Sequence, residues 1–360
     1  MINSRNSKAV GLFAGSLDSI LAFRLIAEQG IAAVALHFRL PFAIPGRTPT
    51  DDQLQSQAKM LGVSLVTFDA GADYLEIVRN PQHGYTVKMA PCIDCMAYML
   101  KQAKLLMQEI RADFVFTGEV LGQRPFSQSK RSLKLLEKLT GLEGRILRPL
   151  SAKLLEPTIP ELSGLIRRER LLDFHGRNRR RQIRLAREFG IVDYPIPGGG
   201  CLLTDTNFAT RCRDAIDRNE FQTLTDIRLL NYGRHFRLPG KSKLIVGRNE
   251  EENRILENLT DSDQLILKPV ETVGPVCILR GAKPTKKEIE LAAQICARYC
   301  DHPGEQLVKV AANGKIYKAR PCAEEELIQW RIGGPITRPS PVLELDRKGK
   351  NHDRRNSAAD

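Results

Sequence analysis

The sequence lacks a long apolar run, since no stretch of its 360 residues approaches the length of a bilayer span. A spanning helix needs about 20 apolar residues, so no transmembrane helix is expected. The N-terminal residues, MINSRNSKAV, also lack the hydrophobic region of a secretory signal, which favours a cytoplasmic protein. Disulfides are rare in that compartment, so the eight cysteines are expected to be reduced thiols, catalytic groups or metal ligands.

Acidic residues are too few to balance the basic ones. Lysine and arginine number 55 against 42 aspartate and glutamate, which gives a formal net charge of +13. Such a charge points to a polyanionic partner, most often nucleic acid, and the alternative is solubility aided by the basic tail at 347–355. At 42% hydrophobic content, a chain of 360 residues is long enough for two or three domains, each with its own core.

The Gly-Lys-Ser/Thr of a Walker loop is absent after the first predicted strand. Instead, the apolar run 9–13 leads into a small-residue turn, and apolar residues return at helical spacing from Ile20. The pattern predicts a buried strand, a tight turn and a helix, whose free amides and positive end form an anion site. An ordinary strand–turn–helix is the alternative. The cofactor-binding residues predicted in this turn are Ala14, Gly15, Ser16, Leu17, Asp18 and Ser19.

Strand-like and helix-like segments alternate through the first half of the chain. We predict an α/β fold with a doubly wound parallel sheet, which places its ligand at the carboxyl ends of the strands. His37, Phe38 and Gly118 lie at or just after predicted strand ends and are expected to bind the cofactor. For His37 the alternative is a strand-end residue without a ligand. The polar loop 118–128 is expected to reach the same edge of the sheet.

One Cys-x-x-Cys pair is present, and a second pair is absent. Cys92 and Cys95 lie in a predicted loop, with a helix beginning near Met96, and no closely spaced histidine pair completes a zinc site. The pair is therefore a redox couple, half of a zinc site, or two ligands of an iron–sulfur cluster. Cys201 follows three glycines, which allow a close approach of backbone to a ligand. An idle thiol in a glycine-rich turn is the alternative for Cys201.

Acidic residues are scarce between 160 and 190, where arginines alternate with leucine and isoleucine. This pattern indicates helices that pack on one side and carry arginine on the other. Because arginine suits bidentate phosphate contact, we predict a segment that contacts nucleic acid, with a solvated charged face as the alternative. The residues assigned to this contact are Arg177, Arg179, Arg180 and Arg181.

The second half of the chain has a different pattern. Short strand-like runs and the amphipathic segment 286–299 predict a smaller α+β domain after the parallel sheet. We place the α/β domain at 1–215, including the Arg-rich segment 160–190, and the smaller domain at 221–330. Residues 333–360 are proline-rich and then charged, and are predicted to be a flexible basic tail.

The turn at 14–19 resembles the PP-loop of the ATP-pyrophosphatase family, Ser-Gly-Gly-x-Asp-Ser. Gly15, Asp18 and Ser19 match the motif. Ala14 stands where serine is usual and Ser16 where the second glycine is usual, so the first hydroxyl of the motif is missing. The resemblance implies an adenine nucleotide alpha-hydrolase-like fold.

Three motifs in this order resemble the tRNA thiouridine synthetases, which include tRNA 2-thiouridylase and 4-thiouridine synthetase. They are the PP-loop, Cys92-x-x-Cys95, and Cys201 at the end of a glycine-rich loop. The segments RHFRL and KLIVGRNEEEN further downstream resemble the NFACT RNA-binding domain. That likeness assigns Arg234 and Arg248 to RNA binding.

The resemblance implies an ATP-dependent tRNA sulfurtransferase. ATP with Mg²⁺ would adenylate a uridine carbonyl oxygen of tRNA, and sulfur from sulfide or a persulfide carrier would then displace AMP. The loop would hold the departing pyrophosphate, and Asp18 would act in catalysis by orienting the loop or the Mg²⁺ ion. No membrane partner is implied.

Two routes for the sulfur remain open. In the preferred route, Cys92, Cys95 and Cys201 ligate a [4Fe–4S] cluster whose fourth iron carries hydrosulfide. In the other, Cys201 carries a persulfide that Cys92 or Cys95 resolves. A different class of protein, an RNA-binding adaptor with a degenerate nucleotide site, is favoured by the departures at Ala14 and Ser16.

Overall fold

The computed structural model describes residues 7–44, 46–195, 200–260, 264–281, 283–301 and 307–334. These residues form two compact units, one from 7–70 and 92–201 and the other from 71–91 and 202–334. From residue 335 onward, the predicted flexible tail lies outside the described residues. Within the described ranges, no helix is long and apolar enough to cross a membrane.

The first unit is built on a parallel five-stranded sheet with the order β3-β2-β1-β4-β5. Its strands are β1 (Lys8–Leu12), β2 (Ala32–Arg39), β3 (Ser64–Asp69), β4 (Phe114–Phe116) and β5 (Ile146–Leu147). In the register, Val10 of β1 pairs with Val34 of β2 on one side and with Val115 of β4 on the other. The strand order therefore reverses at β1, which makes the carboxyl end of β1 a topological switch point. The predicted doubly wound parallel sheet is confirmed.

Among the described residues, six helices accompany this sheet. They are α1 (Leu17–Ala27), α2 (Asp51–Leu61), α4 (Cys92–Glu109), α5 (Lys130–Thr140), α6 (Ile159–Leu162) and α7 (Arg180–Glu188), while α3 (Ala72–Arg79) belongs to the second unit. The prediction that the fourth helix begins near Met96 is wrong, because it begins at Cys92. Pro91 immediately precedes it, where a missing N–H breaks no helical hydrogen bond. The cysteine pair therefore lies in the first helical turn and not in a loop.

Apolar side chains cover both faces of the parallel sheet. On one face, Phe23 of α1 makes edge-on contacts with Phe13 and Phe116, with ring centroids 5.2 and 4.6 Å apart. Gly11 of β1 leaves the space for that ring, since a Cβ there would lie 2.3 Å from Phe23. On the other face, Leu100 of α4 is fully buried in a second cluster. This packing fixes α1, and hence the turn before it, against the sheet.

The second unit contains an antiparallel sheet with the order β11-β10-β8-β9-β7-β6. Its strands are β6 (Arg234–Arg237), β7 (Lys243–Val246), β8 (Leu265–Pro269), β9 (Cys277–Arg280), β10 (Val308–Ala312) and β11 (Lys315–Ala319). Its helices are α3 and then α8 (Thr206–Asp217), α9 (Leu224–Leu229), α10 (Glu250–Leu259), α11 (Lys286–Arg298) and α12 (Glu324–Ile328). The predicted smaller α+β domain after the parallel sheet is confirmed.

Candidate active site

The turn between β1 and α1 has the geometry of an anion-binding loop. Gly15 adopts a left-handed φ of +64°, and a Cβ there would lie 2.7 Å from Pro49 and 2.8 Å from Gln57 Oε1, so only glycine fits. Ser16 is the N-cap residue of α1, yet its side chain makes no capping hydrogen bond. Ser19 Oγ instead donates to the Ser16 carbonyl oxygen at 2.8 Å. The first amides of α1 are thus left uncapped by Ser16, as an anion site requires.

Gly118 brings the end of β4 against this turn. A Cβ at Gly118 would lie 2.7 Å from the backbone carbon and oxygen of Asp18 and from the Ser19 amide nitrogen. The two backbones therefore touch with no room for a side chain. Two regions that are about 100 residues apart in sequence, both predicted to bind the cofactor, are brought together here.

Asp18 is a buried side chain of the turn that hydrogen-bonds to residues far away in sequence. It is 7% exposed, and its Oδ2 accepts hydrogen bonds from Gln123 Nε2 at 2.8 Å and Arg179 Nη2 at 2.9 Å. Gln123 in turn accepts a hydrogen bond from Gln182 Nε2 at 3.3 Å. Gln182 was not predicted from the sequence. The available signal was a glutamine that shares the buried side of α7 with Ala186.

The remaining residues predicted at the loop differ in exposure. Ala14 is exposed, while Leu17 is buried in the core behind the turn. His37, at the end of β2, donates through Nδ1 to the Phe13 carbonyl oxygen at 2.8 Å. Burial lowers the pKa of His37, and the hydrogen bond to Phe13 opposes that shift. Phe38 packs on the ring of Phe68 at 5.4 Å between centroids, so its side chain belongs to the opposite apolar cluster.

A buried ion pair supports the loop after β4. Arg148 is 3% exposed and donates through Nε to Glu119 at 3.2 Å and through Nη1 to Glu137 at 2.7 Å. Glu119 belongs to the polar loop 118–128, which was predicted to reach the same edge of the sheet as the turn at 14–19. Its carboxylate is instead committed to Arg148, which fixes the loop that begins at Gly118.

The predicted sulfur-handling cysteines lie in the first unit and are half-buried. Cys92 and Cys95 lie in the first turn of α4, while Cys201 forms an isolated antiparallel bridge with Ala43. Of the three glycines before Cys201, only Gly200 is among the described residues. All eight cysteines are described, and none forms a disulfide.

Within the described part of the chain, no group of three His, Cys, Asp or Glu residues could hold a single metal ion. The cysteines of a [4Fe–4S] cluster bind separate iron atoms, so they stand further apart than the ligands of one ion. The cluster expected at Cys92, Cys95 and Cys201 therefore stays a prediction.

The arginines of the Arg-rich segment point in two directions. Arg177, Arg180 and Arg181 are exposed. Arg181 pairs with Asp173 and lies 4.5 Å over the ring of Phe174. Arg179 is different, because its side chain is only 18% exposed and contacts Asp18.

In the second unit, Arg234 lies over the ring of Tyr299, with 4.4 Å between its guanidinium carbon and the ring centroid. Burial lowers the pKa of Arg234, but not enough to discharge an arginine near neutrality. Arg248 is held by Glu252, which accepts from its Nε at 2.8 Å. Both predicted RNA-binding residues are thus fixed by neighbours on the same unit.

Two family models match the chain. Residues 4–154 match the thiamine biosynthesis protein (ThiI) model, and residues 233–331 match the NFACT protein RNA binding domain model. The first covers the parallel sheet with the turn at 14–19, and the second covers the antiparallel sheet. No curated protein matches the chain.

Several solved structures resemble parts of the chain. A 4-thiouridine synthetase in complex with RNA and ATP is 23% identical, covers 41% of this chain and 37% of its own, and has a TM-score of 0.33. The C-terminal part of the fibronectin/fibrinogen-binding protein from Streptococcus suis is 15% identical and has a TM-score of 0.25. The match covers 72% of this chain and 94% of the other chain. A predicted tRNA methyltransferase subunit from Methanocaldococcus jannaschii is 16% identical and has a TM-score of 0.27. The match covers 44% of this chain and 73% of the other chain.

The chain thus spans little more than a third of the 4-thiouridine synthetase that it resembles. All three TM-scores lie far below 0.5, so the two family matches alone support the assignment. The resemblance that the motifs predict is confirmed: residues 4–154 are similar to the ThiI family model, and residues 233–331 are similar to the NFACT RNA-binding domain model.

Proposed function

We propose that this protein is an ATP-dependent tRNA sulfurtransferase that adenylates a uridine carbonyl and replaces its oxygen with sulfur. The observation that carries the proposal is the turn at Gly15, closed by Gly118, inside the region that matches the ThiI model. The RNA-binding domain match at 233–331 supports an RNA substrate over a small molecule.

The nucleotide would be held through its phosphates. A carbonyl oxygen is a poor leaving group, and adenylation converts it into part of AMP, which leaves readily. The reaction expels pyrophosphate, and the uncapped amides at residues 16–19 would bind the charge that develops on it. The backbone near His37 and Phe38, at the end of β2, would hold the adenine at the same sheet edge.

Asp18 is the residue that would hold Mg²⁺. One of its carboxylate oxygens, Oδ1, is buried and accepts no hydrogen bond. Mg²⁺ is usually bound by one or two carboxylates together with substrate phosphates, so this donor set fits the ion. The ion would neutralise charge on the departing pyrophosphate.

Two routes for the sulfur are proposed. In the first, Cys92, Cys95 and Cys201 would hold a [4Fe–4S] cluster, which would supply hydrosulfide for the adenylated carbon. In the second, the same thiols carry the sulfur themselves. A carrier would load Cys201 with a persulfide, whose terminal sulfur attacks the adenylated carbon while AMP leaves with the bonding electron pair. The product is a Cys201–S–S–RNA disulfide. A thiolate at Cys92 or Cys95 attacks the Cys201 sulfur, releases the thiouridine and forms a protein disulfide, which an external dithiol reduces.

Two surfaces would contact the RNA. Exposed Arg177, Arg180 and Arg181 lie on and just before α7 in the first unit. Arg234 and Arg248 belong to the domain of the second unit. Arginine binds phosphate bidentately, and such contacts make binding strongly dependent on salt.

The direct test supplies unmodified tRNA, ATP, Mg²⁺ and a persulfide donor, then digests the RNA and measures thiouridine by mass spectrometry. The proposal predicts thiouridine and AMP in equal amounts. Asp18→Asn should abolish AMP formation, while Cys201→Ala should retain ATP–pyrophosphate exchange and lose thiouridine.

The second candidate is an RNA-binding adaptor with a degenerate nucleotide site. Two observations favour the adaptor. Ala14 carries no hydroxyl, and Asp18 Oδ2 already accepts a hydrogen bond from Arg179. Tight RNA binding by a protein that shows neither ATP binding nor exchange would support the adaptor and contradict the enzyme.

A further inference from the structure

Arg179 stands apart from the other arginines of its segment. Its Nη2 donates to Asp18 Oδ2 at 2.9 Å, and the two side chains are 18% and 10% exposed. Arg184, on the same helix, is 75% exposed and forms a 3.7 Å ion pair with Glu188. Arg179 is therefore directed into the nucleotide site and not toward solvent.

Several buried polar atoms around the Arg179–Asp18 contact have no hydrogen-bond partner. Asp18 Oδ2 takes both donors, from Arg179 and Gln123, while its Oδ1 takes none. Within the described residues, Arg179 Nε and Gln182 Oε1 are also buried without a hydrogen-bond partner, and Gln182 is 1% exposed. A structural Arg–Asp pair is commonly bidentate, and buried polar groups are nearly always satisfied. The cluster is thus short of a polar ligand.

The position of this cluster indicates the charge of the ligand that Arg179 would bind. Asp18 lies in the first turn of α1, where amide dipoles favour an anion. A guanidinium carries five donors in a planar fork, which matches phosphate oxygens. Ala14, where the related motif has serine, removes one donor from the loop. Arg179 can supply donors at the same loop.

We propose that the Arg179 guanidinium contacts the pyrophosphate moiety of ATP and supplies the donor that Ala14 lacks. The inference rests on the proposed function, since it assigns a further residue to the same nucleotide site. It places Arg179 among the nucleotide-binding residues and not among those that bind RNA.

The packing of α7 against α1 explains why Arg179 lies beside the turn at 14–19. Arg179 is the N-cap residue of α7, and Ala186 of that helix is buried in the same apolar cluster as Phe23 and Ile26 of α1. Gln182, one turn further along, bonds to Gln123, which also contacts Asp18. When pyrophosphate is absent, Asp18 holds the guanidinium in place and offsets its charge, so little reorganisation is needed on binding.

The test measures binding of inorganic pyrophosphate and of AMP to the full-length protein by calorimetry. EDTA is present, so that no metal contributes. Arg179→Gln is expected to weaken pyrophosphate binding by about tenfold or more, the usual effect of losing a charge-assisted hydrogen bond. AMP binding should stay within about twofold, because AMP lacks the phosphates that Arg179 contacts. Arg184→Gln is the matched control and should bind pyrophosphate like the wild type.

The double variant Asp18→Asn/Arg179→Gln distinguishes two roles of Arg179: contact with the phosphates, and neutralisation of the Asp18 carboxylate. If Arg179 merely neutralised Asp18, removing both would restore wild-type pyrophosphate affinity and overturn the proposal. Contact with phosphate predicts that the double variant stays about tenfold weaker. The proposal is also overturned if Arg179→Gln binds pyrophosphate like the wild type, or loses AMP binding to the same extent. A wild-type protein that binds neither ATP nor pyrophosphate would overturn the proposed function as well.

Discussion

Gly118→Ala tests whether the contact between the end of β4 and the turn at 14–19 sets the geometry of the nucleotide site. An added Cβ would lie 2.7 Å from three backbone atoms of Asp18 and Ser19. Backbone cannot rotate away as the tip of a side chain can, so the two segments must separate. The φ of Gly118 is not in the left-handed region, so the whole effect comes from this contact.

Ordinary carbon contacts begin near 3.4 Å, so the segments must move apart by about 0.7 Å. Overpacking of this kind costs about 1–3 kcal/mol of the free energy of unfolding, or about 2–12 °C in Tm for a unit of this size. A displacement approaching 1 Å in a catalytic site lowers the rate by about 100-fold. We therefore expect ATP–pyrophosphate exchange to fall by one to two orders of magnitude in a protein that remains folded at 25 °C.

The matched control is Gly71→Ala, because a Cβ at Gly71 meets only Asp73 Oδ1 at an ordinary 3.4 Å. Circular dichroism gives the Tm of each variant, and exchange of labelled pyrophosphate into ATP gives the activity. Wild-type exchange by Gly118→Ala would refute the reasoning, since the contact would then be irrelevant to the position of the phosphates.

Three further outcomes are expected. Arg148→Met leaves the Glu119 carboxylate buried without its cation and should lower the urea-unfolding free energy by about 3–5 kcal/mol; an unchanged midpoint would contradict the role of this pair. His235 is fully buried with its pKa well below 6.5, so the unfolded chain binds the proton more tightly and stability is lost as the pH falls below 6.5. The free energy of unfolding of the wild type should fall by about 2 kcal/mol between about pH 6.5 and about pH 5.0, and that of His235→Gln should not show this loss. An equal pH dependence in the two proteins would contradict the role of His235. Cys201→Ala should abolish thiouridine formation and spare exchange, whereas normal thiolation would eliminate Cys201 as the sulfur carrier.

The alternation of apolar strands and amphipathic helices predicted the first unit well. The central strands β1 (KAVGL) and β4 (FVF) are short apolar runs that are largely buried, and such runs are visible in sequence. In the second unit, β10 and β11 were not predicted. β11 (KIYKA) is an edge strand that alternates lysine with apolar residues and exposes Ile316, so its apolar signal is weak.

The candidate site was predicted only where local sequence determines it. Gly15 and Asp18 belong to one short motif, and Gly118 follows a recognisable strand. Arg179 contacts the turn, and Gln182 contacts Gln123, because α7 packs against α1, which is more than 150 residues away in sequence. Whether Cys92, Cys95 and Cys201 serve one site likewise depends on tertiary placement, which the spacing of cysteines does not encode.

The most direct test of the central claim is a single-turnover assay of the wild-type protein. The assay contains unmodified tRNA, [α-³²P]ATP, Mg²⁺ and a persulfide donor, and measures AMP and thiouridine in the same sample. The account predicts that both products form in equal amounts and that neither forms when tRNA or ATP is omitted. Bound tRNA without AMP and without thiouridine would contradict it and would leave an RNA-binding adaptor.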